Sequence, residues 1–167
     1  RELVTLAKAR PRELNYSSAG SGTSPHLSME LFRLTAGIVL THIPYKGTGP
    51  ATLDLVAGQV QLSMPNVLTA LPQIKGAKLR ALGVTSARRA TALADVPAIA
   101  ETLPGYEAIQ WYGLFAPAAS PRDAIAKVQG EAARILWLPD VKERLAADGA
   151  DPVGNRPDEF TAYTRSE

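Results

Sequence analysis

The sequence contains no cysteine, which removes disulfides, thiolate nucleophiles and every cysteine-ligated zinc or iron-sulfur site. Histidine is nearly as scarce: His26 and His42 are the only two, neither has a carboxylate at ligand spacing, and no metal site is expected. No run approaches the roughly 18 uninterrupted apolar residues of a membrane-spanning helix. A strong charge bias is also missing, since 18 basic against 16 acidic residues leave +2. Lys and Arg are scattered, so the basic stripe that phosphate neutralisation requires does not form and no nucleic acid partner is expected. The start, Arg1-Glu2-Leu3-Val4, is neither an initiator methionine nor a signal peptide. The chain is therefore expected to begin after something, and Glu2 to Arg10 reads like the tail of a helix already under way.

What is present is an ordinary globular composition, 46% hydrophobic and 20% charged over 167 residues, which suits one domain or a pair of small lobes. Short β-prone runs alternate with helical patterns, most boundaries carrying Gly or Pro. The reading gives a strand over Leu14–Ser18, then a helix from Pro25 to Gly37 with Ser24 as its cap and Pro25 at its first position. A second strand over Val39–Tyr45 and a helix over Gly49–Ala57 follow, the latter ended by Gly58. Gln61–Met64 is the third strand, Asn66 caps a helix running to Lys75, and Leu79–Thr85 is the fourth strand. Strands joined by single helices imply parallel pairing with right-handed crossovers.

After Thr85 the rhythm changes. Ser86–Pro104 is irregular, with a short helix after Pro97, and Ile109–Ala116 is an extended run suited to passing between lobes. Ser120-Pro121-Arg122-Asp123 reads as a helix start with Ser120 as cap, and Ile125, Val128, Ala132 and Ile135 then share a face. Helices over Pro139–Ala147 and Pro157–Ser166 complete the chain, with a short extended piece at Asp151-Pro152-Val153.

The segment richest in chemistry is Ser17-Ser18-Ala19-Gly20-Ser21-Gly22-Thr23-Ser24, where a strand end runs through glycines and hydroxyls into a helix start. Free amides and the positive end of the helix dipole meet there and favour an anion. The dinucleotide fingerprint fails, because Pro25 stands where its third glycine would be; no Gly-Lys-Ser/Thr follows either. A carboxylate cradle with Ser18, Ser21 and Thr23 as donors fits these residues, and so does a loop that only caps a helix. Ile43-Pro44-Tyr45-Lys46-Gly47 and Asn66 follow the next two strands and reach the same sheet edge, where open parallel sheets bind ligands. Lys46 can add charge there. A hydrolase reading would pair Ser21 with His26 and Asp54, but no Gly-x-Ser-x-Gly elbow supports it. His42 in its apolar strand reads as a hydrogen-bonded structural histidine, and Trp111 and Tyr112 as core or pocket wall.

These segments together resemble a known family. Tyr16 to Leu27 with Glu30-Leu31-Phe32, then His42-Ile43-Pro44-Tyr45-Lys46-Gly47, Gly58-Gln59-Val60, Lys78-Leu79-Arg80-Ala81-Leu82-Gly83-Val84-Thr85, Asp95-Val96-Pro97, Leu103-Pro104-Gly105-Tyr106 and Trp111-Tyr112-Gly113-Leu114 resemble the Bug-type receptors. Those are the extracytoplasmic solute-binding proteins of tripartite tricarboxylate transporters. The Pro-Tyr-Lys-Gly loop and the Lys-Leu-Arg-Ala-Leu segment are the most specific pieces.

The resemblance implies an α/β, type II periplasmic-binding-protein-like lobe over residues 1–110, a mainly parallel sheet flanked by helices. Residues 111–167 are then a crossover strand and mostly helical C-terminal part of the other, incomplete lobe. The implied function is non-enzymatic capture of a small carboxylic acid for the membrane subunits of such a transporter, in the periplasm, without a cofactor. Dicarboxylates, tricarboxylates, amino acids and aromatic acids are all compatible ligands. The implied binding residues are Ser18, Ala19, Gly20, Ser21, Gly22, Thr23, His26, Tyr45, Lys46 and Asn66. Family chains open with a βα unit bearing a Pro- and Gly-rich loop, the first lobe's half of the cradle, which is not found before Arg1. The second lobe is accordingly expected to lack its first strand, and the end at Glu167 to lack the last helical residues. Uncovered sheet edges would invite a homodimer. The alternatives are the Ser21/His26 hydrolase and a non-binding, dimerising remnant.

Overall fold

A computed structural model describes residues 1–147 and 149–166; the expectation about the chain end at Glu167 lies outside the described residues. The chain divides into two compact units, Arg1–Gln110 and Trp111–Glu167.

The first unit runs α1 (Glu2–Ala9), β1 (Asn15–Ser18), α2 (Ser24–Ala36), β2 (Thr41–Pro44), α3 (Thr48–Val56), β3 (Leu62–Ser63) and α4 (Val67–Lys75), with short 3-10 turns at Thr91–Leu93 and Ile99–Glu101. The three strands form a parallel sheet in the order β2-β1-β3. The chain moves outward from β1 to β2 through α2, then back across β1 to β3 through α3. With right-handed crossovers, that reversal puts the two helices on opposite faces. The side chains agree: Tyr16 reaches Glu30 of α2, while its neighbour Ser17 donates to the Ala51 carbonyl of α3, as the period of two along a strand requires. The core on the α2 face holds Ala7, Tyr16, Met29, Phe32, Ala36, Ile38, Leu40 and Tyr106, all buried. Tyr106 packs edge-on to Phe32 and donates to the Ser28 carbonyl; burial pushes its phenol up to about 12.

Local signals set most element ends. Gly37 takes the left-handed conformation that stops α2. Asn66 caps α4, its side chain accepting from the Thr69 amide at 2.9 Å. Two cap assignments shift by one residue. Thr23, not Ser24, precedes α2, and its hydroxyl is turned back onto the Gly20 carbonyl. Pro121, not Ser120, precedes the helix that starts at Arg122.

The fourth strand does not form. Within Leu79–Thr85 only Val84 pairs, as a single bridge to Ala98. The Lys78 and Leu79 amides both turn back to the Gln73 carbonyl, and Ala77 adopts a positive φ, so the segment leaves α4 too abruptly to align beside a strand. Ile109–Ala116 likewise has no ladder. Its residues are β-prone, but a strand is defined by ladder pairing rather than by propensity.

The second unit comprises α5 (Arg122–Leu136), α6 (Pro139–Ala147) and α7 (Pro157–Ser166). None of these helices carries a buried residue among the described ones. An aromatic cluster organises the unit: Trp111 meets Phe160 and Tyr163 edge-on, and Phe115 meets Phe160. Gly113 lies directly under the Phe160 ring, in space a side chain would fill. Gln129 of α5 donates to the carbonyls of Gly154 and Asn155, fixing the approach to α7.

Candidate functional site

Parallel strands deliver their C-terminal ends to one edge, so the loops after β1, β2 and β3 and the starts of α2, α3 and α4 gather there. Two of these loops are joined through their backbones. The Tyr45 amide donates to the Ser18 carbonyl and the Gly47 amide to the Ala19 carbonyl, each at 3.0 Å, extending the β1–β2 ladder past its last paired residues. Gly20 sits against this seam with φ +136, and a Cβ there would stand 3.4 Å from the Tyr45 carbonyl oxygen. Glycine is needed for both reasons.

Beyond the seam, Gly20-Ser21-Gly22-Thr23 makes a tight turn. The Thr23 amide and hydroxyl both donate to the Gly20 carbonyl, at 3.3 and 2.6 Å. Gly22 has φ +81 at the third position, as a type II turn requires. The turn exposes Ser21, and the amides of Ser21, Ser24 and His26 have no acceptor among the described residues. They open at the positive end of the α2 dipole, which suits an anion.

A polar network on the α2 face supports the turn. Tyr16 and His42 are register partners on β1 and β2, with rings stacked at 4.8 Å. The His26 ring lies 4.3 Å from that of His42. Ser18, buried and two residues beyond Tyr16, meets His42 Nε2 at 2.7 Å, accepts from the Gly20 amide at 3.2 Å and donates to the Gly20 carbonyl at 3.1 Å. With a single hydroxyl proton, Ser18 satisfies both contacts when the His42 Nε2–H donates to it, and must release the Gly20 carbonyl when it donates to a bare Nε2. His26 Nδ1 accepts from the Gly22 amide at 3.2 Å. Below them, the Tyr16 hydroxyl donates to Glu30 at 2.7 Å, and Glu30 pairs with Arg33 at 2.6 Å. The guanidinium, helped by the phenol, holds the Glu30 carboxyl down at about 2. Burial, then the Glu30 hydrogen bond, raises the Tyr16 phenol. Burial and the neighbouring His26 lower His42, favouring its neutral form.

The structure thus brings Ser18, at the end of β1, Ala19, Gly20, Ser21, Gly22 and Thr23 of the loop, and His26, in the first turn of α2, together around one turn, with Tyr45 backbone-bonded to it. Tyr45 sends its hydroxyl to Asp54 of α3, at 2.7 Å, an interaction that raises the phenol above its ordinary range. Lys46 is exposed. Asn66 stands at the same edge with its amide oxygen engaged by Thr69. The proposed triad is not assembled: Asp54 serves Tyr45, and the Nδ1 lone pair of His26 serves the Gly22 amide. Sequence reasoning missed the supporting roles of Tyr16, Glu30 and Asp54. Tyr16 could have been found from its place two residues before Ser18 on one strand face; Asp54 carried no local signal.

Comparison with known proteins decides the family. Residues 1–165 match the model of the TctC family, described as the tripartite tricarboxylate transporter family receptor. The chain belongs to this receptor family. BugT of Bordetella pertussis is 35% identical over 99% of this chain and 51% of its own length. A UPF0065 protein encoded in the tcbD-tcbE intergenic region of a Pseudomonas species is 39% identical over 99% of this chain and 50% of its own. The chain therefore spans about half the length of the curated relatives it matches. Among solved structures, an adipate-bound protein of R. palustris superposes with a TM-score of 0.95 at 34% identity, covering 99% of this chain and 56% of that one. The malate-bound MatC of Rhodopseudomonas palustris gives 0.87 at 30%, covering 99% and 57%. The fold is accordingly the α/β, parallel-sheet fold of the periplasmic binding proteins. Members of this receptor family are solute-binding proteins rather than enzymes, and they are periplasmic.

Proposed function

We propose that this chain carries one half of the carboxylate-binding site of a periplasmic receptor that captures a small carboxylic acid, without transforming it, for the membrane subunits of a tripartite tricarboxylate-type transporter. Residues 1–110 act as the second ligand-binding lobe. Residues 111–167 correspond to the crossover and C-terminal helices of the first. The observation that carries the reading is the turn at Gly20–Thr23, locked by its backbone to the Tyr45–Gly47 loop and opening unpaired amides at a helix N-terminus. A carboxylate is the natural guest of such donors, and relatives of this fold hold adipate and malate.

In this reading Ser21, Gly22 and Thr23 with the amide of His26 meet the ligand, Ser18 and Gly20 shape the turn, and Lys46 and Asn66 lie along the rim. Native mass spectrometry of the purified chain, followed by titration calorimetry with adipate and malate, tests it. A bound organic acid, or saturable binding of either diacid that weakens in Ser21→Pro, is the expected result. No binding of any carboxylate by a folded chain overturns the reading for these residues. A doubled mass without ligand would instead support pairing through the outer strands β2 and β3.

A further inference from the structure

We propose that His26 is a positioning residue for the carboxylate loop, acting as a neutral imidazole whose Nδ1 lone pair holds the Gly22 amide, so that proton uptake on this ring loosens the loop and weakens capture. The inference rests on the carboxylate reading above and adds a control to it. Its basis is geometric. His26 lies four residues after Gly22, in the first turn of α2, and its Nδ1 faces the Gly22 amide at 3.2 Å. Only an unprotonated Nδ1 can accept that bond, since an imidazolium presents an N–H on both sides. With the bond lost, the turn is still closed by the two links from Thr23 to the Gly20 carbonyl, but the bond that ties the Gly22 amide to α2 is gone.

The groups facing His26 determine what a proton there meets. From β2, the His42 ring lies 4.3 Å away; from β1, the Tyr16 ring lies 6.5 Å away with its hydroxyl turned to Glu30. On α2 itself Glu30 is the nearby carboxylate, and it is already engaged by Arg33 and Tyr16. A cation on His26 would also attract an anionic ligand, so the two effects oppose one another. The geometry favours loss, because the same proton removes the bond that shapes the loop.

Two measurements on the full chain test this, with His26→Asn, whose amide oxygen can replace Nδ1, and His26→Leu, which offers no acceptor. The first follows the Gly22 amide proton by NMR in the ligand-free chain between about pH 8 and about pH 5. The expected result is a hydrogen-bonded shift that fades on acidification in the wild type, persists in His26→Asn and is absent throughout in His26→Leu. The second is malate affinity over the same range. Loss of one hydrogen bond to the loop predicts about fivefold to tenfold weaker binding in His26→Leu. Wild-type affinity should fall on acidification, while His26→Asn should hold a level profile. A Gly22 amide indifferent to His26→Leu, equal affinities in the Asn and Leu variants, or wild-type affinity that rises on acidification would each overturn the proposal. If no form of the chain binds malate, adipate or any other carboxylate, the carboxylate reading fails on its own, and the Gly22 amide still decides the role of His26.

Discussion

Removing one oxygen atom from Tyr16 tests how the supporting network is held. The ring is wholly buried, and its hydroxyl donates to Glu30 at 2.7 Å while Glu30 pairs with Arg33 at 2.6 Å. A hydrogen bond to a charged group contributes about 1.5–3 kcal/mol. Tyr16→Phe keeps the ring packing, and Glu30, with 28% of its side chain exposed, retains Arg33 and can recruit water. The lower half of that range applies, about 1.5–2 kcal/mol, or about 3–8 °C in melting temperature for a chain of this size. Far-UV circular dichroism or amide hydrogen exchange should follow the unfolding. The two tryptophans, Trp111 and Trp137, both lie in the second unit and report on their surroundings there. The penalty should also depend on pH. Because the folded Glu30 carboxyl is depressed from 4.5 to about 2, its contribution is fully present above about 4.5 and is lost as pH falls toward about 2. A penalty below about 0.5 kcal/mol at neutral pH, or strict additivity with Glu30→Gln, would show that the hydroxyl–carboxylate bond contributes nothing.

Three further outcomes are expected. Gly20→Ala forces an L side chain to φ +136 against the Tyr45 carbonyl; a loss of about 1–3 kcal/mol by urea unfolding would agree, and a neutral variant would remove the seam argument. Gly113→Ala places a methyl group in the Phe160 ring and should destabilise the second unit, visible as a changed Trp111 emission; an unchanged spectrum and melting point would contradict the packing. His42 is lowered from 6.5 by burial and by His26, so the unfolded state takes up its proton first and stability should fall as pH drops below about 6.5. His42→Gln should flatten that slope, and an identical slope in the variant would assign the titration elsewhere.

Much of the first unit was legible because its signals are local. The left-handed Gly37, the Asn66 cap and the helix-starting prolines act within a few residues of themselves, and α2, α3 and α4 fall within a residue or two of where sequence placed them. The Leu79–Thr85 segment has strand-like composition, yet pairing is a property of two segments, and the backbone leaving α4 is diverted by bonds to Gln73. The carboxylate loop was visible as a run of glycines and hydroxyls before a helix. Its internal bonding was not.

By itself, then, the sequence determined the βα order, most element boundaries and the family, because periodicity, capping and motif residues are written in adjacent positions. The tertiary structure decided which polar groups meet. Parallel register sets His42 beside Tyr16 and within reach of Ser18, and α3 carries Asp54 to the Tyr45 hydroxyl. Crossing back over β1 places the starts of three helices along one sheet edge. Such meetings depend on register and crossover direction, which are set when strands pair and hydrophobic faces are buried, and neither is encoded at any single position of the chain.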